Sequence, residues 1–194
     1  MINSQIIQKA IRFAIKIHEL DTKTKRKGTE IPYITHPLSV AIILSRSTEN
    51  DEIIAAGVLH DTIEDCEPYG SVTKELLESM FSKDIARIVN DVTEQDKSLP
   101  WAERKAAAFA HIKDMKQDSL LVKTADVVQN LSELINDIET HGINVFDRFN
   151  APKDATIERY KKLLAEMTRV WPENPLLLDL EAGVNNLLML TKNT

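Results

Sequence analysis

An apolar segment that runs directly into a cluster of ionisable side chains constrains the fold of this chain most. Residues 53–59 are apolar, and His60 and Asp61 follow at once, with Glu64 and Asp65 a few positions later. On a continuing helix, side chains four residues apart share a face, so each later carboxylate would stack over one of the earlier polar residues. Two like charges about 4 Å apart repel by roughly 4 kcal/mol at an effective dielectric of 20, so such a cluster is costly to bury.

Two interpretations of this segment follow. A bound cation would remove most of the cost, because buried charges in proteins are paired or coordinate metals. The other interpretation is a polar helix end that faces water. The segment by itself is compatible with both, so the rest of the chain has to supply the remaining ligands of a metal site.

Length and charge narrow the class of protein. The chain has 194 residues, which suffices for one domain with a sizeable core. Its 5 Gly and 7 Pro are few, and its many Ala, Leu, Ile, Lys and Glu favour helices over sheet. The formal net charge of −6 argues against a general nucleic-acid surface. A small anionic ligand would therefore need basic residues or a metal gathered locally.

Compartment can also be inferred from the sequence. No run approaches the roughly 18 apolar residues that a membrane span requires, and the first residues lack the charged region of a signal peptide. The single Cys66 allows no internal disulfide, which fits a reducing compartment. We therefore expect a cytoplasmic protein that does not bind membranes.

Hydrophobic periodicity, capping residues and helix breakers predict a succession of helices without a convincing strand or internal repeat. Asn50, Ser71 and Ser82 are expected to cap the starts of three of them, and His141 and Gly142 are expected to end another with a C-cap. The predicted helices span residues 4–20, 38–45, 50–61, 72–81, 83–94, 100–116, 119–139, 154–171 and 176–190.

Two further residues are candidates for the metal site. His36 precedes Pro37 at the predicted start of a helix, which is a rigid position for an imidazole, although it could instead help to cap that helix. Asp126 lies in an apolar stretch of a long helix, with Lys123 and Asn130 on the same face. Its partner could be the lysine, the asparagine or a metal ion.

Other polar residues have structural and functional interpretations. The basic connector Lys25-Arg26-Lys27 is either a solvated loop or a clamp for phosphate, since Arg and Lys are the usual partners of phosphate oxygens. His18, at the end of the first helix, is expected to be structural.

The ordered pattern of His36, His60-Asp61 and Asp126 resembles the HD-domain metal-dependent phosphohydrolases. Longer strings narrow the resemblance to the hydrolase domain of the RelA/SpoT family, and within it to free-standing small alarmone hydrolases of the Mesh1 type. The match runs from the first helix to about residue 135, and the C-terminal part matches only loosely. The strings are YITHPL at 33–38, LHDTIED at 59–65, DVT at 91–93, DK at 96–97, ERK at 103–105 and LVKTAD at 121–126.

The resemblance implies an all-α, single-domain helical bundle of the HD-domain type over residues 1–194. Its motif core would span residues 23–135, and helices within 154–192 would complete the bundle. Members of the family use Mn²⁺ to remove the 3′-pyrophosphate of guanosine tetra- and pentaphosphate. No synthetase domain follows in the sequence, so we expect a protein that degrades this nucleotide and does not make it.

The resemblance also implies a role for individual residues. Glu64 and Asp65 would position and activate the attacking water. The metal ligands would be His36, His60, Asp61 and Asp126. The residues that border or contact the nucleotide would be Lys25, Arg26, Lys27, Lys97, Arg104, Asn130 and Tyr160. Two imidazoles with two carboxylates suit Mn²⁺, Fe²⁺ or Zn²⁺ better than Ca²⁺, so the chemistry of the ligand set agrees.

The chain departs from the family at positions where the family usually has Arg or Lys. These positions are Glu94, Val127 and Ser132. Their loss of positive charge at the expected nucleotide end leaves two alternatives to an alarmone hydrolase. One is an HD phosphohydrolase of another phosphorylated nucleotide, and the other is a nucleotide sensor without catalysis. In each case the expected partner is a small nucleotide and not a nucleic acid polymer.

Overall fold

The computed structural model describes residues 4–65, 72–94, 99–149 and 151–192, with only the backbone of residues 101 and 102. Within these ranges the regular structure is helical apart from one isolated β-bridge between Lys25 and Pro32. This confirms the predicted all-α class. The helices are α1 (Gln5–Ile15), α2 (Thr35–Ser45), α3 (Asp51–Leu59), α4 (Thr62–Asp65), α5 (Lys74–Met80), α6 (Lys83–Val92), α7 (Trp101–His111), α8 (Gln117–His141), α9 (Lys153–Val170) and α10 (Leu177–Thr191).

Shorter helical turns connect some of these elements. A π-helical turn, Lys16–Asp21, continues α1, and 3₁₀ turns at Ile112–Asp114 and Ile143–Arg148 follow α7 and α8. Among the described helices, none combines the length and the apolar character that crossing a bilayer requires.

Capping explains several helix ends. Asn50 and Ser82 accept hydrogen bonds from backbone N–H groups in the first turns of α3 and α6, as the sequence predicts. Thr73 caps α5 in the same way, whereas Ser71, the predicted cap, lies outside the described residues. Gly142 ends α8 with φ of 78°, a left-handed conformation that glycine adopts without strain.

Helix α2 begins earlier than predicted. It starts at Thr35, two residues before Pro37. A proline in the first turn of a helix is tolerated because its missing N–H has no intrahelical partner there. His36 is therefore inside the first turn and held by the helix backbone.

Two hydrophobic clusters form the interior, and α8 contributes to both. The first cluster draws on α1, α2, α3, α5 and α6, and includes Leu121 and Ala125 of α8. The second draws on α9, α10 and the 3₁₀ turns, and includes Val127 and Leu131 of α8. Asp126 lies between these positions, where the two clusters meet.

The absence of a side chain at Gly57 allows α2 and α3 to pack closely. A Cβ atom built at Gly57 would overlap the end of the Leu44 side chain of α2, so a larger residue would require Leu44 to repack. This close packing matters for the site, because α2 carries His36 at its beginning and α3 leads into His60 at its end.

Candidate metal centre

The side chains predicted as metal ligands converge at one point. His36 Nε2 lies 3.1 Å from His60 Nε2, 3.4 Å from Asp61 Oδ2 and 3.4 Å from Asp126 Oδ1. His60 Nε2 lies 3.0 Å from Asp61 Oδ2 and 3.9 Å from Asp126 Oδ1. The ligand atoms of His36, His60 and Asp126 all lie within 4.8 Å of one another, and all three residues are buried. Asp61 joins this group through the oxygen that approaches both histidines.

A break in the helix between α3 and α4 brings neighbouring residues to the same point. Helix α3 ends at Leu59, two residues before the predicted end at Asp61, and the helical path does not continue unbroken into Thr62–Asp65. Adjacent residues of a regular helix point about 100° apart. The turn at His60-Asp61 instead places His60 Nε2 and Asp61 Oδ2 3.0 Å apart. The Thr62 hydroxyl donates to the Leu59 carbonyl at 2.7 Å and satisfies a carbonyl at the end of α3.

Hydrogen bonds fix both imidazoles in the tautomer that a metal requires. His60 Nδ1 donates to the Gly57 carbonyl at 2.8 Å, and His36 Nδ1 donates to Gln129 Oε1. With the protons on Nδ1, both Nε2 atoms direct a lone pair toward the centre. The two Nε2 atoms lie 3.1 Å apart, within hydrogen-bond distance when one of them is protonated, and a divalent cation would take the place of that proton.

The charge balance favours the same conclusion. Burial opposes ionisation of Asp126, but Lys123 and the two histidines outweigh it and hold the pKa of Asp126 below its ordinary value. Burial lowers the pKa of His36, but hydrogen bonds and charges from Asp126 and Asp61 outweigh it and raise the pKa to about 9. Positive charge at this point therefore stabilises the buried carboxylates of Asp61 and Asp126. Two imidazoles with two carboxylates are a suitable donor set for a divalent transition metal.

The sequence is compatible with a lysine, an asparagine or a metal ion as the partner of Asp126. Lys123 contacts Asp126 Oδ2 at 2.9 Å, and Asn130 donates to Asp126 Oδ1 at 2.6 Å. Oδ1 is also the oxygen that faces His36. The three partners are thus compatible, because the lysine and the asparagine leave the carboxylate directed at the two histidines.

Two residues that support the ligands were not singled out from the sequence. The Tyr33 hydroxyl donates to Asp61 Oδ2 at 2.6 Å, and Gln129 accepts from His36. Gln129 also donates to Glu133 at 3.1 Å. Its position, one helical turn from Asp126 on α8, is the signal in the sequence that could have identified it.

Replacing Gln129 by leucine is expected to lower the affinity for Mn²⁺ by about 10- to 100-fold, because loss of such an outer contact frees the ligand's orientation and tautomer. Isothermal titration with Mn²⁺ measures the effect. Gln117→Leu is the matched control, since Gln117 is exposed on the same helix and should leave the affinity unchanged. Equal affinities for Gln129→Leu and the parent protein would contradict this role.

The predicted catalytic carboxylates lie on α4, immediately after Asp61. Glu64 Oε2 accepts the backbone N–H of Glu94 at 3.4 Å. Burial, and then the negative charges of Asp61 and Glu94, raise the pKa of Glu64. Asp65 Oδ2 lies 3.4 Å from Nδ1 of the buried His18. Both carboxylates are partly buried, as expected for groups that act near a centre shielded from bulk water.

A basic cleft opens beside the metal centre. Its volume is about 290 Å³, and Asp126 forms part of its wall. The structure gathers most of the residues predicted to contact the nucleotide in this cleft. They are Lys25, Arg26, Lys27, Asn130 and Tyr160. Arg159, which the sequence did not single out, also lines it, so four cations face the three lining carboxylates of Asp126, Glu133 and Asp137.

Arg26 is already engaged within the cleft. Its guanidinium forms two hydrogen bonds with Glu133, at 2.9 and 2.6 Å, and a third with Asn130 at 2.9 Å. The guanidinium also lies 5.4 Å from the centre of the Tyr33 ring. These contacts fix the basic loop against α8, so Arg26 serves as an anchor of that loop in this state.

Arg104, another residue predicted to contact the nucleotide, does not line the basic cleft. Arg104 lines a separate cavity of about 190 Å³ with Glu94 and Lys123, and it bonds Glu94 at 3.1 Å. Lys97 lies outside the described residues. The cavity of Arg104 borders Lys123, which itself contacts Asp126. Arg104 therefore shares a cavity with Lys123 and not with the residues of the basic cleft.

The departures from the family pattern differ in their surroundings. Val127 lines the basic cleft, so an apolar side chain stands where charge would meet a ligand. Glu94 pairs with Arg104 and Lys105 and occupies both cations. Ser132 lines a different cavity, together with Pro175 and residues of α2 and α10. The missing charge at position 132 therefore does not bear on the basic cleft.

Comparisons with known proteins agree with this geometry. The HD domain family profile matches residues 10–157. The chain is 40% identical over 134 residues to the Danio rerio guanosine-3′,5′-bis(diphosphate) 3′-pyrophosphohydrolase MESH1, covering 68% of this chain and 71% of that protein. It is 38% identical over 135 residues to the Xenopus tropicalis protein of the same name, with the same coverage.

A solved structure supports the fold. It is described as a metazoan ortholog of SpoT that hydrolyzes ppGpp and plays a role in starvation responses, and it superposes with a TM-score of 0.73. The superposition covers 96% of both chains at 24% sequence identity. The predicted HD-type helical architecture is thereby confirmed.

Proposed function

The chain belongs to the HD-domain family, and on that basis we propose that it is a metal-dependent hydrolase of guanosine tetra- and pentaphosphate. It would release pyrophosphate from the 3′ position and leave GDP or GTP. The observation that carries the proposal is the convergence of two imidazoles and two carboxylates beside a basic cleft. The activity named for the MESH1 relatives matches that arrangement.

The proposed metal is Mn²⁺, held by His36, His60, Asp61 and Asp126. This borderline set of nitrogen and oxygen donors suits Mn²⁺, Fe²⁺ or Zn²⁺. When bound, such an ion lowers the pKa of its water and neutralises a phosphoryl oxygen. Tyr33, Gln129 and Lys123 keep the ligands oriented through the contacts described above.

The hydrolytic step would be served by the carboxylates of α4. A water oxygen bonds to the phosphorus attached to the 3′ oxygen, the bond from that phosphorus to the 3′ oxygen breaks, and a proton reaches the 3′ oxygen. Glu64 would accept a proton from the attacking water, since its raised pKa suits a general base that works near neutrality. Asp65 would orient the same water. No covalent enzyme intermediate is required.

The basic cleft would hold the remaining phosphates and the nucleoside. Lys25 and Lys27 would attract a substrate that the overall charge of −6 otherwise repels. Asn130 would contact the nucleotide through its amide, and Tyr160 lines the same cleft. Arg104 and Lys97 would act at the periphery, since Arg104 lines a separate cavity.

We propose a single domain for residues 1–194, with the motif core at 23–135 completed by the C-terminal helices. The participation of α8 in both hydrophobic clusters supports this arrangement. A bundle cut after the motif core would expose the apolar face of α8 that packs against α9 and α10.

A second candidate function is hydrolysis of another phosphorylated nucleotide. Val127 in the cleft and Glu94 paired with two cations favour it, because both reduce the positive charge available to a substrate with two diphosphates. A nucleotide sensor without catalysis is less well supported, since every proposed ligand and both carboxylates are present.

A nucleotide panel with and without Mn²⁺ tests the proposal. Purified protein with Mn²⁺ is expected to release pyrophosphate from ppGpp and pppGpp, and to do so far more slowly after chelation of the metal. The panel should also contain nucleotides with single 2′-, 3′- or 5′-phosphates. Preferred turnover of one of these would favour the second candidate, whereas tight binding without turnover would identify a sensor.

A further inference from the structure

His18 is a buried residue that the proposed mechanism does not yet use. It lies on the π-helical turn Lys16–Asp21, where the Thr22 N–H bonds the Ile17 carbonyl five residues back at 2.9 Å. The wider turn allows the adjacent residues Ile17 and His18 to be buried together, at 2% and 0% exposure. Such turns inside helices occur frequently at functional sites.

The polar atoms of His18 are unusual for a purely structural histidine. Among the described residues, neither ring nitrogen has a hydrogen-bond partner. Buried polar side-chain atoms are otherwise nearly always satisfied, and leaving one unsatisfied costs free energy. The nearest anion is Asp65, whose Oδ2 lies 3.4 Å from His18 Nδ1. Because burial of the unsatisfied imidazole costs free energy, we look for a role of His18 beyond packing.

The surroundings of His18 connect it to the catalytic region. Its ring lies 5.0 Å from the ring of Tyr33, and the Tyr33 hydroxyl bonds Asp61. Burial lowers the pKa of His18 to about 4, although the charge of Asp61 opposes this. The imidazole is therefore neutral near pH 7 and can offer one N–H without adding a charge to the site.

We propose that His18 is a positioning residue for Asp65. Its Nδ1–H donates to Asp65 Oδ2 in the substrate complex and so fixes the orientation of the carboxylate. The separation of 3.4 Å is long for a hydrogen bond, and catalytic hydrogen bonds in ligand-free enzymes commonly shorten in the substrate complex. This role rests on the proposed function, in which Asp65 orients the water.

Kinetics of two variants distinguish positioning from packing. His18→Leu removes the donor and is expected to lower kcat by about 10- to 100-fold, since small misplacement of a reacting group has effects of this size. KM and Mn²⁺ affinity should change little. His18→Asn places an amide N–H near the position of Nδ1 and should recover most of kcat. Unchanged kcat in His18→Leu, or a loss that His18→Asn does not repair, would overturn the proposal.

A spectroscopic measurement tests the contact without relying on turnover. Long-range ¹H–¹⁵N NMR spectra of the Mg²⁺-loaded protein should show His18 as the neutral Nδ1–H tautomer between pH 6 and 8. Asp65→Asn should shift the Nδ1 resonance of His18. Glu64→Gln changes the neighbouring carboxylate and is the control, so it should leave that resonance unmoved. Absence of ppGpp turnover in the parent protein would reject the proposed function alone. A resonance that Asp65→Asn leaves unmoved would reject the role of His18.

Discussion

Asp61→Ala is expected to reduce ppGpp turnover by at least about 10³-fold, because the lost metal ligand supplies several kcal/mol of transition-state stabilisation and each 1.36 kcal/mol changes the rate tenfold. Asp61 Oδ2 lies within 3.4 Å of both histidine nitrogens, so its removal opens one side of the site. Turnover with saturating Mn²⁺ and metal titration together measure the change. The affinity for Mn²⁺ should fall as well.

Tyr33→Phe is the matched control for this prediction. It removes the 2.6 Å hydrogen bond to Asp61 and leaves the carboxylate in place. We expect a decrease of about 10- to 100-fold, the range of lost outer contacts to a metal ligand. If Asp61→Ala retained the metal and lost no more activity than Tyr33→Phe, Asp61 would not be a ligand.

Glu64→Gln is expected to lower kcat by about 10²- to 10⁴-fold, the usual contribution of a general base. The glutamine keeps the size of the side chain and loses its ability to accept a proton. Single-turnover assays with ppGpp measure the chemical step directly. Glu49→Gln, at an exposed glutamate in the loop before α3, should leave the rate unchanged.

The pH dependence supplies an independent check on Glu64. Burial and the charges of Asp61 and Glu94 raise its pKa, and a base acts only when deprotonated. In the parent enzyme kcat/KM should therefore increase with pH through that raised pKa and level off above it. Glu64→Gln should lose this acidic limb. Retention of the same limb in the variant would assign the titration to another group.

Local signals in the sequence predicted much of the fold. Asn50, Ser82 and Gly142 mark helix ends because capping depends on residues only a few positions apart. Features that depend on contacts between distant residues differ from the predictions. Helix α2 begins before Pro37, and the turn at His60-Asp61 separates α3 from α4, since tertiary packing around the site decides the path there.

The sequence predicted which residue types form the site, but it did not predict the ion pairs and hydrogen bonds between them. The order of His36, His60-Asp61 and Asp126 led to the ligand set through resemblance, and their convergence required the packed bundle. The pairing of Arg26 with Glu133 joins residues 107 positions apart, and Arg104 is held by Glu94. In both cases an internal carboxylate would compete with a ligand for the arginine. Such pairs depend on which residues are close in the packed structure, and the hydrophobic periodicity of the sequence does not encode this.

Helix α8 would fix the spacing between the proposed ion and the proposed nucleotide contact at Asn130. Asp126 and Asn130 are four residues apart, a rise of about 6 Å, and both are anchored in a helix packed on two sides. Connecting loops could lengthen or shorten among related chains without changing the distance between Asp126 and Asn130. Divergence in substrate choice would then proceed by exchanging side chains along the cleft, while the hydrolytic apparatus is inherited unchanged.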